Sequence, residues 1–287
     1  MAKRPPTFRM RRLGAQLRKL REEHGLGLDE AADLLLMSKS ALHRIENAQV
    51  TIRPREVNYI LMTYGDVEAD LQESLLGLAA AGRSKDWVKR YGDLAQAPVV
   101  GDYVRLEQDA SALLAYQPNV IHGLFQTPDY ARAIMSSLKR LYPDRDVDRS
   151  VAFRMARREV LEGANPARME AVIGESAIRH QIGGPAVMHE QLHHLLDVSR
   201  RGNIVLRILP FEIANHPGAD GAFSLLEVEA GSFTVCAVHS LTQVVFVDDE
   251  SEVASYSVAF EELREASLSV EETRERIAQV LHELGTW

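Results

Sequence analysis

The chain has 287 residues and a formal net charge of −8, with 46% hydrophobic and 26% charged residues. These values are typical of a protein with an apolar core, and the length predicts two or three domains. They exclude a disordered chain, a collagen-like fibre and, because Cys236 is the single cysteine, a disulfide scaffold. No apolar run is long enough to span a membrane, and none follows the basic start MAKRPPTFRMRR, so we expect a cytoplasmic protein.

The charge is distributed unevenly along the chain. Residues 1–65 contain 12 Lys and Arg against 7 Asp and Glu, which gives this part a net charge of +5. The remaining residues therefore carry a net charge of −13. A basic head on an acidic body indicates that the head alone meets a polyanion such as nucleic acid.

The first 82 residues are predicted to form an all-α domain of five short helices. Leu13, Leu17 and Leu20 follow helical spacing, Gly25 suits a helix C-terminus, and Pro54 suits the first turn of a helix. The predicted helices cover residues 8–23, 28–35, 38–47, 54–65 and 68–80. Residues 83–101 are predicted to be a connector, in which Trp87 and Tyr91 dock a helix on the body.

Residues 102–287 are predicted to form an α+β domain with a mainly antiparallel sheet. Short runs rich in Val, Ile, Leu and Phe alternate with turn residues, which is typical of strands. The last four runs follow one another too closely for crossover helices. Strands are predicted at residues 169–178, 203–209, 222–228, 233–239 and 243–248, and helices at 102–116, 127–138, 146–162, 185–201, 250–265 and 270–284.

Residues 26–49 have the spacing of a helix-turn-helix, in which one helix packs across another through a short turn. Ala32 supplies the small residue that this crossing needs. Leu35, Met37, Leu42 and Ile45 supply the apolar positions that face inward. The second helix of such a motif lies in the major groove of DNA.

The outward positions of that second helix carry side chains that suit base edges and flanking phosphates. The predicted DNA-binding residues are Ser38, Lys39, Ser40, His43 and Arg44 on the helix, followed by Asn47, Thr51 and Arg53, which suit phosphate contacts. The pattern therefore predicts a sequence-specific transcriptional regulator that binds double-stranded DNA as a homodimer. Its body would dimerise or sense a partner or ligand. A helical bundle that binds protein instead of DNA is the alternative for the head.

Residues 10–65 resemble the Xre/Cro-type helix-turn-helix of phage-repressor-like regulators. The resemblance lies in Ser38-Lys39-Ser40 and in the run from His43 to Asn47. Gly27-Leu28 stands where that family often has Thr-Gln, and Ala48 stands where it often has Gly. The resemblance implies a DNA-binding head of this type.

The body resembles the C-terminal domain of actinobacterial antitoxin-like transcriptional regulators. The similar segments are Trp87 to Tyr91, Tyr103 to Ala110, GLFQTPDYARA at 123–133, VMHEQL at 187–192, ILP at 208–210 and FSLLE at 223–227. This resemblance implies a small partner protein encoded nearby. The chain could then act mainly as an antitoxin-like scaffold for that partner.

Residues 189–193 spell HEQLH, which matches a zinc-peptidase motif with two histidines one helical turn apart. Glu212 and His216 are the candidates for a third ligand in this alternative, with Glu190 as the base. An amphipathic stripe through Met188 and Leu192 explains the same helix without a metal. Because no nucleophile elbow or phosphate loop occurs, we expect no enzyme activity, no cofactor and no metal.

The loop from His122 to Thr127 is the most unusual local stretch of the body, and Glu107 and Tyr130 are predicted to lie near it. We favour a structural role for this loop over a ligand site. In that interpretation Leu124 and Phe125 are core residues, and Gln126 satisfies loop backbone groups.

Overall fold

A computed structural model describes residues 6–80, 98–228 and 233–285. The chain divides into two compact units. Unit 1 comprises residues 1–85 and 228–233, and unit 2 comprises residues 86–227 and 234–287. Most of the predicted connector, including Trp87 and Tyr91, lies outside the described residues.

The described part of unit 1 up to residue 80 is helical, so the predicted five-helix head is confirmed. The helices are α1 (Phe8–Glu23), α2 (Leu28–Leu34), α3 (Lys39–Glu46), α4 (Pro54–Tyr64) and α5 (Ala69–Ala79). Their apolar faces meet in one core in which Leu17, Leu42 and Ile60 are each 1% exposed. Thr7 and Ser38 cap α1 and α3 with their hydroxyl oxygens, as the preference for such residues at helix starts predicts.

Helix α1 crosses the C-terminal end of α3 at very short distance. A Cβ on Gly14 would lie 2.5 Å from the carbonyl oxygen of Glu46 and 2.8 Å from that of Ile45, so only glycine fits here. Beyond this crossing, Arg21 Nε donates to Glu46 Oε1 at 2.7 Å and Arg21 Nη2 donates to Glu46 Oε2 at 3.1 Å. Both side chains are buried, and the hydrogen bonds to Glu46 raise the pKa of Arg21.

Unit 2 is built on a six-stranded sheet in the order β3-β2-β1-β4-β5-β6. The strands are β1 (Ala110–Gln117), β2 (Arg168–Gly174), β3 (Ile204–Leu209), β4 (Phe223–Val228), β5 (Phe233–His239) and β6 (Val244–Val247). The helices are α6 (Pro98–Asp109), α7 (Pro128–Ser137), α8 (Val147–Ala156), α9 (Glu175–Arg179), α10 (Pro185–Val198), α11 (Glu250–Ala266) and α12 (Val270–Leu284). The α+β class is therefore confirmed.

The sheet is mixed, so the prediction of a mainly antiparallel sheet is wrong. Strands β1, β2 and β3 pair in parallel, with Ala115 opposite Ala171 and Ala171 opposite Leu206. Strands β5 and β6 pair antiparallel, with Cys236 opposite Val247. The argument from close spacing fails for β3, because this strand lies at the far edge of the sheet, away from the strands that follow it. Helices α9 and α10 supply the crossover between β2 and β3 that a parallel pair requires.

The predicted helix over residues 102–116 is also wrong in its second half. Helix α6 ends at Asp109, and the run ASALLAYQ forms β1 between β2 and β4. Alanine and leucine favour a helix, but Ala112 and Leu113, neighbours whose side chains point to opposite faces of the sheet, are both buried. Burial on both faces removes the alternation that would identify a strand, so tertiary packing overrides the local propensity. The strand predicted over 169–178 similarly stops at Gly174, and α9 follows.

One face of the sheet packs on α11. Tyr116, Phe223 and Cys236 from the strands meet Phe260 and Leu263 from this helix. Burial raises the pKa of the Cys236 thiol to about 12, so this cysteine is a small buried hydrophobe. No helix among the described residues has both the length and the apolar character needed to cross a membrane.

Replacing Glu46 by Gln should destabilise the head by about 3 kcal/mol, because it leaves the buried guanidinium of Arg21 without its counter-charge. Hydrogen exchange of the α1 and α3 backbone amides in the full chain measures this effect. Glu23→Gln is the matched control, since Glu23 forms an exposed pair with Lys19. Equal protection in the Glu46→Gln variant and the original protein would contradict the role assigned to this pair.

Candidate nucleic-acid interface

Helices α2 and α3 are joined by a tight turn that sets their crossing. The Met37 N–H donates to the carbonyl oxygen of Ala32 at 3.0 Å, and the Leu36 N–H donates to that of Asp33 at 3.1 Å. Leu36 adopts a φ of 53°, in the left-handed region that such a helix ending uses. Ala32 is 2% exposed at the crossing, which confirms the small-residue position expected of a helix-turn-helix.

The predicted reader face of α3 points to solvent. Lys39, Ser40, His43 and Arg44 lie on its accessible side, whereas Leu42 between them is buried. Ser38 is exposed as well, but its Oγ accepts from the Ala41 N–H at 3.1 Å, so it also serves as the helix cap. Helical periodicity therefore separates core positions from outward positions as the sequence predicts.

Several polar side chains of the reader face already have local partners. Lys39 Nζ lies 2.7 Å from Asp29 Oδ2, and Arg44 Nε donates to the Ser40 carbonyl oxygen at 3.2 Å. Asn47 Nδ2 donates to the His43 carbonyl oxygen at 2.8 Å. The Lys39–Asp29 pair is exposed on both sides, and such pairs are weak enough for a phosphate to replace the carboxylate. Asp29 thereby positions Lys39 beside the start of α3.

The segment between α3 and α4 carries the two other predicted contacts. Thr51 and Arg53 are exposed, with the buried side chain of Ile52 between them. The Arg53 N–H donates to Glu56 Oε2 at 2.7 Å, which caps α4 and fixes the backbone from which the Arg53 side chain projects. Both side chains are thus exposed beyond the end of α3, where the sequence predicts phosphate contacts.

Sequence reasoning missed the residues that orient α3, namely Gly14, Arg21 and Glu46. The sequence gives little local indication of these roles. Glu46 is an acidic residue near the end of the predicted helix 38–47, directly before Asn47. The neighbouring Ala48 has a φ of 54°, which explains why glycine is common there in similar heads. Alanine adopts this conformation at a cost, and its side chain is buried in return.

In unit 2, the loop from His122 to Thr127 has the predicted structural role. Leu124 and Phe125 are buried, and Gln126 Nε2 donates to the Ile121 carbonyl oxygen at 2.7 Å. The hydroxyl of Tyr130 accepts from the Ile121 N–H at 3.2 Å. These contacts satisfy backbone groups that enter the core, as buried polar groups require.

The glutamine of the HEQLH motif also serves this loop. Gln191 is fully buried, its Oε1 accepts from the Thr127 N–H at 2.7 Å, and its Nε2 donates to the Phe125 carbonyl oxygen at 2.8 Å. His193 is exposed on another side of α10. Over the ranges that the structure describes, no group of three His, Cys, Asp or Glu is placed to hold a metal ion. The zinc-peptidase alternative therefore gains no support.

Unit 2 also contains two cavities beside the segment 217–221. One has a volume of about 440 Å³ and lies at the carboxyl ends of β1, β2 and β3, next to Tyr116 and His216. The other has a volume of about 400 Å³ and lies against α11, next to Phe223 and Tyr256. The carboxyl ends of parallel strands are a common place for ligands in α/β sheets.

Two comparisons with protein families give matches. A family model described as a helix-turn-helix domain matches residues 12–73. A second model, described as a domain of unknown function (DUF5753), matches residues 100–279. No curated protein and no solved structure matches the chain.

Unit 2 should lose stability as the pH falls from about 6.5 to about 4. Burial, with a smaller contribution from Arg157, lowers the pKa of His239 from 6.5 to about 4, and burial lowers that of His122 well below 6.5. The unfolded chain therefore binds more protons than the folded chain in this interval, and stability present above pH 6.5 is lost on acidification. Unfolding midpoints measured against pH should vary less in His239→Gln. The exposed His282→Gln variant is the control, and an unchanged slope in His239→Gln would refute this explanation.

Proposed function

The chain belongs to the family described as a domain of unknown function (DUF5753) and carries a helix-turn-helix domain at its head, and on this premise we propose that it is a sequence-specific transcriptional regulator of the Xre type. The helix-turn-helix domain supports DNA binding. The observation that carries the proposal is the outward face of α3, where Lys39, Ser40, His43 and Arg44 are exposed together. Selection of bound duplexes from a random pool by the full chain tests it: one enriched sequence is expected, and no enrichment would overturn it.

In the proposed complex, the exposed residues of α3 and those that follow it make different kinds of contact with DNA. Ser40 and His43 lie three residues apart on one turn of α3, so both reach base edges together. Lys39 and Arg44 flank them and reach base edges or phosphates. Asn47, Thr51 and Arg53 follow and fix the position of the head by phosphate contacts, which carry no sequence information.

The charge distribution supports the same division of labour. Residues 1–65 carry +5 and the rest of the chain carries −13. A basic head attracts the duplex, and an acidic body lowers the affinity for DNA that lacks the preferred site. A regulator built this way depends on base contacts for its specificity.

The body is proposed to dimerise and to receive a signal, so that two heads bind two half-sites. The two cavities of unit 2 support the binding of a small molecule there. A small partner protein encoded nearby is the second candidate signal, which the resemblance to antitoxin-like regulators favours. In either case the chain acts by binding, without catalysis, and we place it in the cytoplasm.

Replacing both Ser40 and His43 by Ala should change which DNA sequence is preferred. Removing each good base contact should cost about 1–3 kcal/mol on the preferred site, with little change on unrelated DNA. The core residues Ala32 and Leu42 remain, so the head should keep its fold. Binding constants for both DNAs check this expectation. An unchanged preference in a folded double variant would show that another face of α3 meets the groove.

Replacing Arg53 by Ala should weaken binding to all sequences alike. The deleted side chain is assigned to a phosphate, so the slope of log K against log salt should fall by about 1. Titrations of specific and unrelated DNA at several salt concentrations measure both quantities. Arg140→Ala, at an exposed position of unit 2, is the control. Loss of affinity for the specific site alone would assign Arg53 to a base.

A further inference from the structure

The cavity of about 400 Å³ against α11 has an apolar floor. It is bordered by this helix, by strands β4, β5 and β6, and by the segment 217–221. Val238, Val247 and Ala259 line it and also pack against the core between the sheet and α11. A Cβ added to Gly221 would meet no atom of the described residues within 4 Å apart from those of its chain neighbours, so the space beside this segment is open. The volume lies within the range of pockets that bind small molecules, about 300–1,000 Å³.

Two aromatic rings line this cavity from different elements. Phe223 from β4 is buried, and Tyr256 from α11 is half-buried. Their ring centroids lie 5.2 Å apart, and the ring planes are tilted by 56°. The face of such a ring attracts a cation through its quadrupole, and the ring also packs against apolar groups. The aromatic lining therefore suits a molecule that combines an apolar body with a positive charge.

The charged residues that line the cavity, within the described ranges, are both acidic. Asp220 lies in the segment before β4 and Glu252 in the first turn of α11, so two separate elements bring carboxylates to one cavity. Both residues are exposed. Burial first, and after it the charges of nearby groups that include Glu252 and Asp220, raise the pKa of Tyr256. Both carboxylates therefore act on a ring of the lining, and no Lys, Arg or His among the described lining residues balances them.

We propose that this cavity binds a small organic cation, in which an ammonium group is attached to an apolar body. The apolar floor takes the body, the rings of Phe223 and Tyr256 attract the cation, and Asp220 and Glu252 supply the counter-charge. An anion of similar shape would be repelled, and a neutral analogue would lose the electrostatic attraction. The inference rests on the proposed function in one respect, because it names the chemical class of the signal that the body receives.

Titration calorimetry of the full chain tests the proposal with three probes that share a phenyl group: benzyltrimethylammonium chloride, benzyl alcohol and sodium benzoate, at equal ionic strength. Saturable binding of benzyltrimethylammonium is expected. It should be about tenfold tighter than binding of benzyl alcohol, because cation–π and charge contacts add to burial of the ring, and benzoate should bind most weakly. No saturable binding of the cation, or equal binding of the three probes, would overturn the proposal.

Two leucine variants of α11 test whether the cation occupies the cavity. Ala259→Leu places three further carbon atoms in the lining and should weaken binding about tenfold or more, because the added atoms overlap the bound apolar body. Ala254→Leu makes the same change at an exposed position of the same helix outside the lining and should leave binding unchanged. Undiminished binding in folded Ala259→Leu would place the cation elsewhere and overturn the proposal.

Two glutamine variants test the contribution of charge, and they keep the proposal testable if Ala259→Leu does not fold. Glu252→Gln should reduce the affinity for benzyltrimethylammonium about threefold and leave that for benzyl alcohol unchanged, since one exposed carboxylate is removed. Glu250→Gln removes an exposed carboxylate from the same helical turn outside the lining and should change neither affinity. An unchanged preference for the cation in Glu252→Gln would overturn the proposal. Selection of a duplex by the full chain reports separately on DNA binding, so failure of either proposal is distinguishable from failure of the other.

Discussion

The buried pair between Arg21 and Glu46 joins α1 to the last residue of α3, and the geometry of the DNA-facing surface depends on it. Two hydrogen bonds of 2.7 and 3.1 Å fix the relative orientation of the two helices. The third donor of Arg21 reaches the Leu26 carbonyl oxygen at 2.8 Å, at the start of the segment that leads into α2. One side chain thereby ties together the three helices that present the reader face. A planar guanidinium suits this task, because its donors diverge in fixed directions.

The pair can form only because Gly14 lets the helices approach. Since this residue has no Cβ, α1 lies against the carbonyl oxygens of Ile45 and Glu46. A larger residue would separate the helices and pull the guanidinium away from its carboxylate. Close backbone packing and the buried ion pair are therefore two parts of one constraint. The exposed side chains of α3 lie outside this constraint.

In unit 2, buried polar side chains likewise join separate elements around the loop from His122 to Thr127. Gln191 holds the loop to α10, and Arg157 is held by Glu107 from α6.

Local sequence signals predicted those helices and strands whose pattern of apolar and polar residues matches their burial in the fold. The head helices alternate apolar and polar faces, and the caps Thr7 and Ser38 are used as such residues usually are. Strand β1 escaped prediction, since ASALLAYQ is buried on both faces and shows no period of two. The parallel direction of β3 was not predicted either. Its direction and its place in the sheet depend on where the crossover through α9 and α10 returns the chain.

The sequence by itself determined the outward set on α3, because helical periodicity decides which side chains share a face with Leu42 and which do not. It also determined that charge is separated between a basic head and an acidic body. Only the tertiary structure decided which polar residues meet. Arg21 and Glu46 are 25 positions apart, and Arg157 and Glu107 are 50 apart. Pairing over such separations follows from how the helices and strands pack, and spacing along the chain carries no signal of it.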